Sequence, residues 1–378
     1  MTFAAKGLEG IVVTTSAIST IDGQAGILSY RGYDIHDLAP NCSFEEVVYL
    51  LWFGELPTAD ELASFRERIP KYAELNDATI KFLASVPKGT NPMDVLRTAV
   101  SAIPLFYPTI QSAIPSPDPT ANLDAALNLV AKVSLITALY HRIRSGRDPV
   151  VYDKSAGIAE NFLHIIRGKK PTSLDVKVFD MGLVLHADHE FNASTFAGRV
   201  TASTLSDIYS AITTAIGTLK GPLHGGANEQ VLAQLKEIGS LEKVESYIEK
   251  AFAAKKRIMG FGHRVYKTED PRATHLRRLA EQLAKQAGDM RLFEIQRRIE
   301  QLVKEKKGLY PNVDFYSAAV YHYLGIPTDL FTPIFACSRI SGWTAHVMEQ
   351  YSDNRLIRPV AEYTGPMPRS FVPIEERG

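Results

Sequence analysis

Apolar residues recur at three- and four-residue spacing along most of this chain, the signature of helices that bury one face. Val47, Val48, Leu50 and Leu51 form one such run, opened by Ser43-Phe44-Glu45-Glu46 and closed by Gly54. The opening sequence is a capping box, in which hydroxyl and glutamate satisfy each other's early amide groups, and glycine suits the end. Thr58-Ala59-Asp60-Glu61 repeats the box. Asn91-Pro92 and Asp270-Pro271 each set a capping side chain before a proline at the first helical position. Further helices are predicted over about 122–144, 155–167, 173–190, 194–220, 241–255, 271–286, 290–306 and 314–324.

Period-two patterning is confined to the start. Ile11-Val12-Val13-Thr14-Thr15 and Ile27-Leu28-Ser29-Tyr30, separated by Asp22-Gly23, predict a small antiparallel pair. Pro104 to Pro119 holds five prolines and reads as a loop. The fold class is therefore mainly α, with a small N-terminal antiparallel β element. Repeats and low-complexity tracts are not evident. The chain of 378 residues is long enough for two domains, with glycine-rich elements near 221 and 325 as the hinges.

Composition narrows the function classes. Lysine plus arginine equals aspartate plus glutamate at 42 each, so no net charge favours nucleic acid or an acidic membrane. Cys42 and Cys337 are far apart in apolar sequence and read as buried thiols of a reducing compartment. The first residues lack the charged-then-apolar order of a signal peptide. Val130 to Ile143, among the most apolar stretches, is broken by lysine, serine, histidine and arginine. A soluble cytoplasmic protein is expected.

Five segments carry candidate chemistry. Gly221-Pro222-Leu223-His224-Gly225-Gly226-Ala227-Asn228-Glu229 sets a histidine in a bend between two helical stretches. Just before a helix N-terminus, the positive dipole end favours neutral imidazole, which can donate to an oxygen becoming negative. Lys255-Lys256-Arg257-Ile258-Met259-Gly260-Phe261-Gly262-His263, continuing to Arg272, joins cations to a Gly-x-Gly turn and suits an anionic ligand. It is not a dinucleotide fingerprint, because Val265 replaces the third glycine and no strand precedes it. A solvated basic helix end is the bland reading of those lysines.

In His186-Ala187-Asp188-His189, the two histidines are expected on one helical face. The spacing could chelate a metal, yet no second ligand cluster accompanies it, so a polar pocket wall is the better reading and metal is not expected. Asp314, in Pro311-Asn312-Val313-Asp314, looks by spacing alone like a helix cap. Arg339 lies in the apolar run Phe331 to Trp343, where a guanidinium is costly to bury unless a carboxylate, internal or from a substrate, meets it. Arg358 by itself reads as surface.

Taken together these segments resemble the citrate synthase family. The matching stretches are Tyr30-Arg31-Gly32-Tyr33-Asp34-Ile35, His186 to Thr195, Gly221 to Glu229, Met259 to Arg272, Pro311 to Asp314, and Ser338-Arg339 through Arg358-Pro359. They follow family order over nearly the whole chain. The resemblance implies a two-domain helical fold: a large domain of 1–222 and 326–378, and a small domain of 223–325 that closes over the substrates. It implies condensation of acetyl-CoA with oxaloacetate and hydrolysis of the thioester to citrate and CoA. 2-Methylcitrate synthase, acting on propionyl-CoA, is the alternative.

By the same resemblance Asp314 is the base, His224 stabilises the enolate, and His263 polarises and protonates the oxaloacetate carbonyl. Arg272, Arg339 and Arg358 clamp the carboxylates, His189 is a further contact and Asn192 a weaker candidate. Arg257, Ile258, Met259, Gly260, Phe261, Lys307 and Asn312 match CoA contacts, with Lys256 and Lys267 as weaker phosphate candidates. CoA enters as part of the substrate; no tightly bound cofactor or metal is implied. The implied unit is a homodimer with Arg358 lent by the partner, of the simple type without the longer N-terminal portion of hexameric relatives. A metal-dependent hydrolase and a catalytically inert binding protein are the rivals from other classes.

Overall fold

The computed structural model describes residues 6–8, 10–107, 115–118 and 120–377. Three strands, β1 (Ser19–Asp22), β2 (Ile27–Tyr30) and β3 (Tyr33–Asp34), pair antiparallel in the order β1-β2-β3. Helices dominate the rest. They are α1 (Ile35–Asn41), α2 (Phe44–Phe53), α3 (Ala59–Arg68), α4 (Asp77–Ser85), α5 (Pro92–Phe106), α6 (Leu123–Arg144), α7 (Ile158–Arg167) and α8 (Ser173–His186). The second half adds α9 (Ala193–Ser203), α10 (Ile208–Leu219), α11 (Ala227–Ile238), α12 (Val244–Ala253), α13 (Pro271–Ala287), α14 (Arg291–Lys307), α15 (Val313–Tyr323) and α16 (Phe331–Ser352).

The capping signals work as the sequence expects. Ser43 and Thr58 each complete a capping box, with Glu46 and Glu61 respectively, and Gly54 ends α2 in the left-handed conformation. Asn91 and Asp270 cap α5 and α13 ahead of their prolines.

The core is built around α16, whose residues from Phe331 to Met348 are all buried. It packs against α6, α8, α9, α10 and α2. A helix enclosed on every side needs no polar face, which is why its amphipathic signal is too weak to announce it. Helix α6 is likewise buried from Ala125 to Ala138. It is long and apolar enough to cross a membrane, but 83% of that window is buried inside the protein. Its Lys132 ammonium donates to the carbonyls of Tyr72 (2.9 Å) and Glu74 (2.6 Å). Burial pulls its pKa down to about 8.

Four expectations need correction. Ile11 to Thr15 is not a strand: β2 pairs with Ser19–Asp22, the residues directly before the turn. Asp22 decides this, since its carboxylate accepts from Gln24 and Ala25 N–H, both at 2.9 Å, and folds the hairpin there. Second, the helix placed over 194–220 is two. The chain breaks at Leu205 (φ 60°), and Asp207 caps α10 by accepting from Ser210 N–H.

Third, α8 ends at His186 rather than near 190, so His186 and His189 do not share a helical face. Glu190 at φ 50° turns the chain into the Asn192 cap of α9. Fourth, Pro104 lies within α5, so the loop starts after Phe106. Residues 108–114 and 119 of that proline-rich stretch lie outside the described residues.

Candidate active site

Two bends of the chain, carrying His224 and His263, face the 187–189 turn, both acting on His189. Gly342 of α16 lets that turn approach: a Cβ there would sit 2.3 Å from Asp188 Oδ1. Tyr30 of β2 donates its hydroxyl to the Asp188 carbonyl at 3.0 Å, and Ser19 Oγ donates to Asp188 Oδ2 at 2.5 Å. The hairpin therefore fixes the loop that carries His189.

His224 occupies the bend between α10 and α11. Gly225 is required beside it, because a Cβ would lie 2.6 Å from the Leu219 carbonyl oxygen, the group that accepts from Gly225 N–H at 2.9 Å. His224 Nε2 lies 2.8 Å from Ser194 Oγ, and Ser194 N–H points at the same nitrogen at 3.4 Å. An amide can only donate, so it marks Nε2 as the acceptor and places the proton on Nδ1. Burial, then the Arg339 charge, holds the His224 pKa down at about 4. The ring is neutral near pH 7.

His263 has the opposite tautomer. Its Nδ1 accepts from the N–H groups of Val265 (3.0 Å) and Tyr266 (3.2 Å), which leaves the proton on Nε2. Burial and Arg272 lower its pKa to about 4. Its ring centroid is 5.2 Å from that of His189, whose Nε2 is 3.2 Å from the Tyr266 hydroxyl. His189 is also held well below its usual range, by burial first and then by Arg272.

Asp314 shares the field of Arg272 and Arg339 with these histidines, and two zipped loops hold it there. Gly262 N–H donates to the Tyr310 carbonyl at 3.1 Å, Asn312 N–H donates to the Gly260 carbonyl at 2.9 Å, and Phe261 bridges Pro311. Asn312 caps α15 by accepting from Asp314 N–H, so the cap expected at 314 sits two residues earlier. The Asp314 carboxyl is 8% exposed, and its Oδ1 is buried without a partner. Burial, reinforced by the Asp270 charge against two arginines, pushes its pKa up to about 7.

The arginines differ in what they have left to give. Arg272 is gripped by Asp270 through Nε (2.9 Å) and Nη2 (2.8 Å), both residues being buried. Arg339, 1% exposed, donates Nε–H to the His186 carbonyl at 2.8 Å and lies over the Phe335 ring at 4.8 Å. Its Nη2 is buried without a partner. Burial lowers its pKa to about 10 while leaving it charged. Arg339 is the common neighbour of the site, since its charge acts on His186, His189, His224 and Asp314.

The remaining candidates lie around this centre or away from it. Asn192 Oδ1 accepts from Thr195 N–H at 3.2 Å, and so serves as the α9 cap beside His224's partner. In the 257–261 loop Arg257 is exposed, Ile258 is buried, and Met259 N–H donates to Gln234 Oε1 at 3.0 Å. Lys256 and Lys307 are exposed, each over an aromatic ring, Tyr247 at 5.7 Å and Phe252 at 5.0 Å. Lys267 N–H ties to the Gly23 carbonyl of the hairpin. Arg358 is exposed on the extended segment after α16.

Sequence reasoning did not single out Ser194, Trp343, Tyr266, Asp270 or Phe335. Ser194 and Asp270 were masked by their resemblance to ordinary capping residues, and the others by apolar context. His186, read as pocket wall, is wholly buried, with Nδ1 2.8 Å from the Gly182 carbonyl and Nε2 unpartnered. Among the described residues no group of three or more His, Cys, Asp or Glu is placed to hold a metal ion.

A family model described as citrate synthase, C-terminal domain, matches residues 7–360. Citrate synthase 2 of Bacillus subtilis is 52% identical over 375 residues, covering 99% of each chain. 2-Methylcitrate synthase 1 of Corynebacterium glutamicum is 43% identical over 382 residues, covering 98% of each. Among solved structures, citrate synthase of Thermoplasma acidophilum superposes with a TM-score of 0.91 at 38% identity, covering 98% of this chain and 99% of that one. That relative was solved as a ternary complex with carboxymethyl coenzyme A and oxaloacetate.

Proposed function

This chain belongs to the citrate synthase family, and from that premise we propose how its own residues divide the work. The enzyme is a transferase that condenses acetyl-CoA with oxaloacetate and hydrolyses the thioester, giving citrate and CoA. Asp314 takes a methyl proton from acetyl-CoA as His224 Nδ1–H donates to the thioester oxygen, where enolate charge develops. A thioester α-carbon is too weak an acid for a carboxylate alone, so donor and base must act together. The enolate carbon then attacks the oxaloacetate carbonyl, and His263 Nε2–H delivers its proton to the resulting alkoxide. Water then cleaves the thioester and releases CoA.

The observation that carries this reading is Arg339. A buried guanidinium with an unpartnered Nη2, acted on by Asp188 and Asp314 but in no ion pair among the described residues, is a costly arrangement unless a substrate anion completes it. Arg272, with Nη1 left over from the Asp270 pair, faces the same group of histidines and supplies a second anchor. His189, with Asn192 beside it, completes the oxaloacetate end. The planar guanidinium suits paired bonds to carboxylates.

For CoA, the backbone of Arg257 to Phe261, the exposed Lys256, Lys267 and Lys307, and the half-buried Asn312 form the proposed seat. Residues 223–325 form the lobe proposed to close over it, turning near Gly325 (φ 69°). A homodimer is supported by the extended C-terminal segment, where Val360, Phe371 and Ile374 are 86%, 82% and 70% exposed within one chain. Arg358, on that segment, is placed to serve the partner's site. Both cysteines are free, and burial pushes the thiols up to about 11 at Cys42 and 12 at Cys337, in keeping with a cytoplasmic setting.

Thiol release with oxaloacetate present, measured for acetyl-CoA and propionyl-CoA, tests the assignment. One methylene changes discrimination by about 1–3 kcal/mol, so the ratio of kcat/KM decides between the two reactions. Acetyl preference is expected. Propionyl preference would make the enzyme a 2-methylcitrate synthase, and no CoA release from either would overturn the catalytic reading.

A further inference from the structure

Two cavities lie apart from the catalytic histidines, and they offer a ligand different things. One, of about 620 Å³, carries Arg66, Lys154, Lys170 and Lys177, with Lys170 paired to Glu160 and with Glu45 and Asp180 beside them. The latter two acids are already engaged as helix caps: Glu45 Oε1 accepts from Ile158 N–H at 2.8 Å, and the Asp180 oxygens accept from Phe44 N–H at 3.2 Å. The other, of about 520 Å³, opens where the C-terminal ends of α7 and α13 meet the link from α15 to α16. Its volume is in the range of sites that take small organic ligands.

The charged lining of this second cavity is unbalanced. It comprises Arg147, Arg167, Lys169 and a single carboxylate, Asp175. Asp175 is spent, bonded to Arg167 Nη1 at 2.7 Å and Gln286 Nε2 at 3.3 Å. Arg167 also donates to the Leu324 carbonyl, from Nε at 3.0 Å and Nη2 at 2.5 Å. Arg147 and Lys169 are exposed and make no ion pair among the described residues. Two cations thus overhang a cleft whose one carboxylate is already neutralised.

A buried imidazole on the wall registers that field. His141 is held down to about 4, by burial first and then by Arg144, Arg147 and Arg142, with Asp329 opposing. The cleft also draws on both sides of the proposed hinge. Leu283, Gln286 and Ala287 come from the 223–325 lobe, and Arg147, Arg167 and Lys169 from the rest.

We propose that this cleft binds a small phosphate-bearing polyanion, seated on Arg147 and Lys169 and spanning the two lobes. The spanning clause rests on the hinge reading above; the binding itself does not. Charge-assisted bonds from the two exposed side chains supply affinity that salt weakens, and Arg167 supplies fixed positive charge at the floor. The segment from Tyr323 to Pro327 forms one wall, so an occupant touches the residues that would flex as the lobes move.

Calorimetry of the full-length protein with inorganic pyrophosphate tests this, run with saturating CoA so that the acyl-CoA phosphate seat is filled. Binding is expected to persist with CoA present, and to weaken at least tenfold in the double variant Arg147→Glu, Lys169→Glu. Both positions are exposed, so the variant keeps its fold, checked by its circular dichroism. As a second readout, pyrophosphate is expected to raise the titration midpoint of His141, followed by NMR of histidine labelled with carbon-13, in the wild type and not in the variant. Binding abolished by CoA, equal binding in both proteins, or an unmoved His141 would each overturn the proposal. Failure of the catalytic reading would show separately, as no CoA release in the thiol assay, whatever the pyrophosphate isotherm shows.

Discussion

The Ser194 hydroxyl lies 2.8 Å from Nε2 of His224, in the bend ahead of α11. Trp343 of α16 donates its indole N–H to the same oxygen at 3.1 Å, which ties the imidazole's support to the most buried helix of the protein. A positioned donor is worth most when it needs no reorganisation during reaction. Ser194→Ala should therefore lower kcat by about ten- to a hundredfold, in the range of lost oxyanion contacts, with little change in KM for oxaloacetate. Nitrogen-15 NMR of His224 should show the Nδ1–H tautomer in the wild type and a mixture in the variant. Unchanged kcat would remove the serine from the catalytic apparatus.

Arg339 should behave as a binding group held at the expense of stability. Replacing it by methionine removes a buried charge with an unpartnered nitrogen, and such exchanges are often neutral or stabilising. The Arg339→Met protein is expected to melt no lower than the wild type without substrate. Its stabilisation by oxaloacetate should disappear, since that shift reports binding to the native state alone. A variant that melts lower yet keeps its oxaloacetate shift would assign Arg339 to the scaffold.

The exposed Arg358 leads to a complementation experiment. His263→Ala and Arg358→Ala are each expected to be inactive alone. If Arg358 serves the partner's site, a mixed dimer has one site with both lesions and one with neither. Mixing the two after reversible dissociation should then restore activity, approaching a quarter of the wild-type level in a random mixture. No recovery would place Arg358 in its own subunit's site or outside both.

What the sequence revealed and what it hid follow from the kind of signal each residue carries. Ser43, Thr58, Asn91 and Asp270 declare helix starts through local chemistry, and those starts stand. His224 and Asp314 were findable because their bends have unusual local composition. Helix α16 was not, since complete burial erases the periodicity that marks a helix. Ile11 to Thr15 misled for a related reason: β-branched composition signals a strand, but pairing was settled by the Asp22 turn. Tyr266 and Trp343 escaped notice because their roles depend on partners 77 and 149 residues away.

The histidines should govern acid stability. His224 and His263 have folded pKa values of about 4, His186 of about 3, and His189 is also lowered. The unfolded value is about 6.5, so between there and about pH 4 the unfolded state binds more protons. The histidines' contribution to stability is complete above pH 6.5 and falls as pH drops through that window. His141, His275 and His322, also lowered, act in the same direction, while the raised carboxyls of Asp180, Glu190, Glu229 and Asp314 oppose it, four groups against seven. Urea midpoints should therefore decline steadily from pH 7 to pH 5. A flat profile would mean that these rings are not buried in neutral form.

Asp314 carries the opposite sign. Its folded pKa of about 7 lies above the unfolded carboxylate value of about 3.9. The native state therefore holds a proton that the unfolded state has lost, and stability drains away as pH rises from about 4 through 7. The full difference is on the order of 3–4 kcal/mol at alkaline pH, an upper bound because the folded site can relax around the charge. Asp314→Asn keeps the shape and removes the ionisation. It should be more stable than the wild type at pH 8, equal to it near pH 4, and slower in condensation by at least about a thousandfold as a missing base. Activity of the wild type should rise with pH through about 7 as the carboxylate forms. A variant no more stable at pH 8 than the wild type would show that Asp314 ionises without penalty, and the base would then owe nothing to its burial.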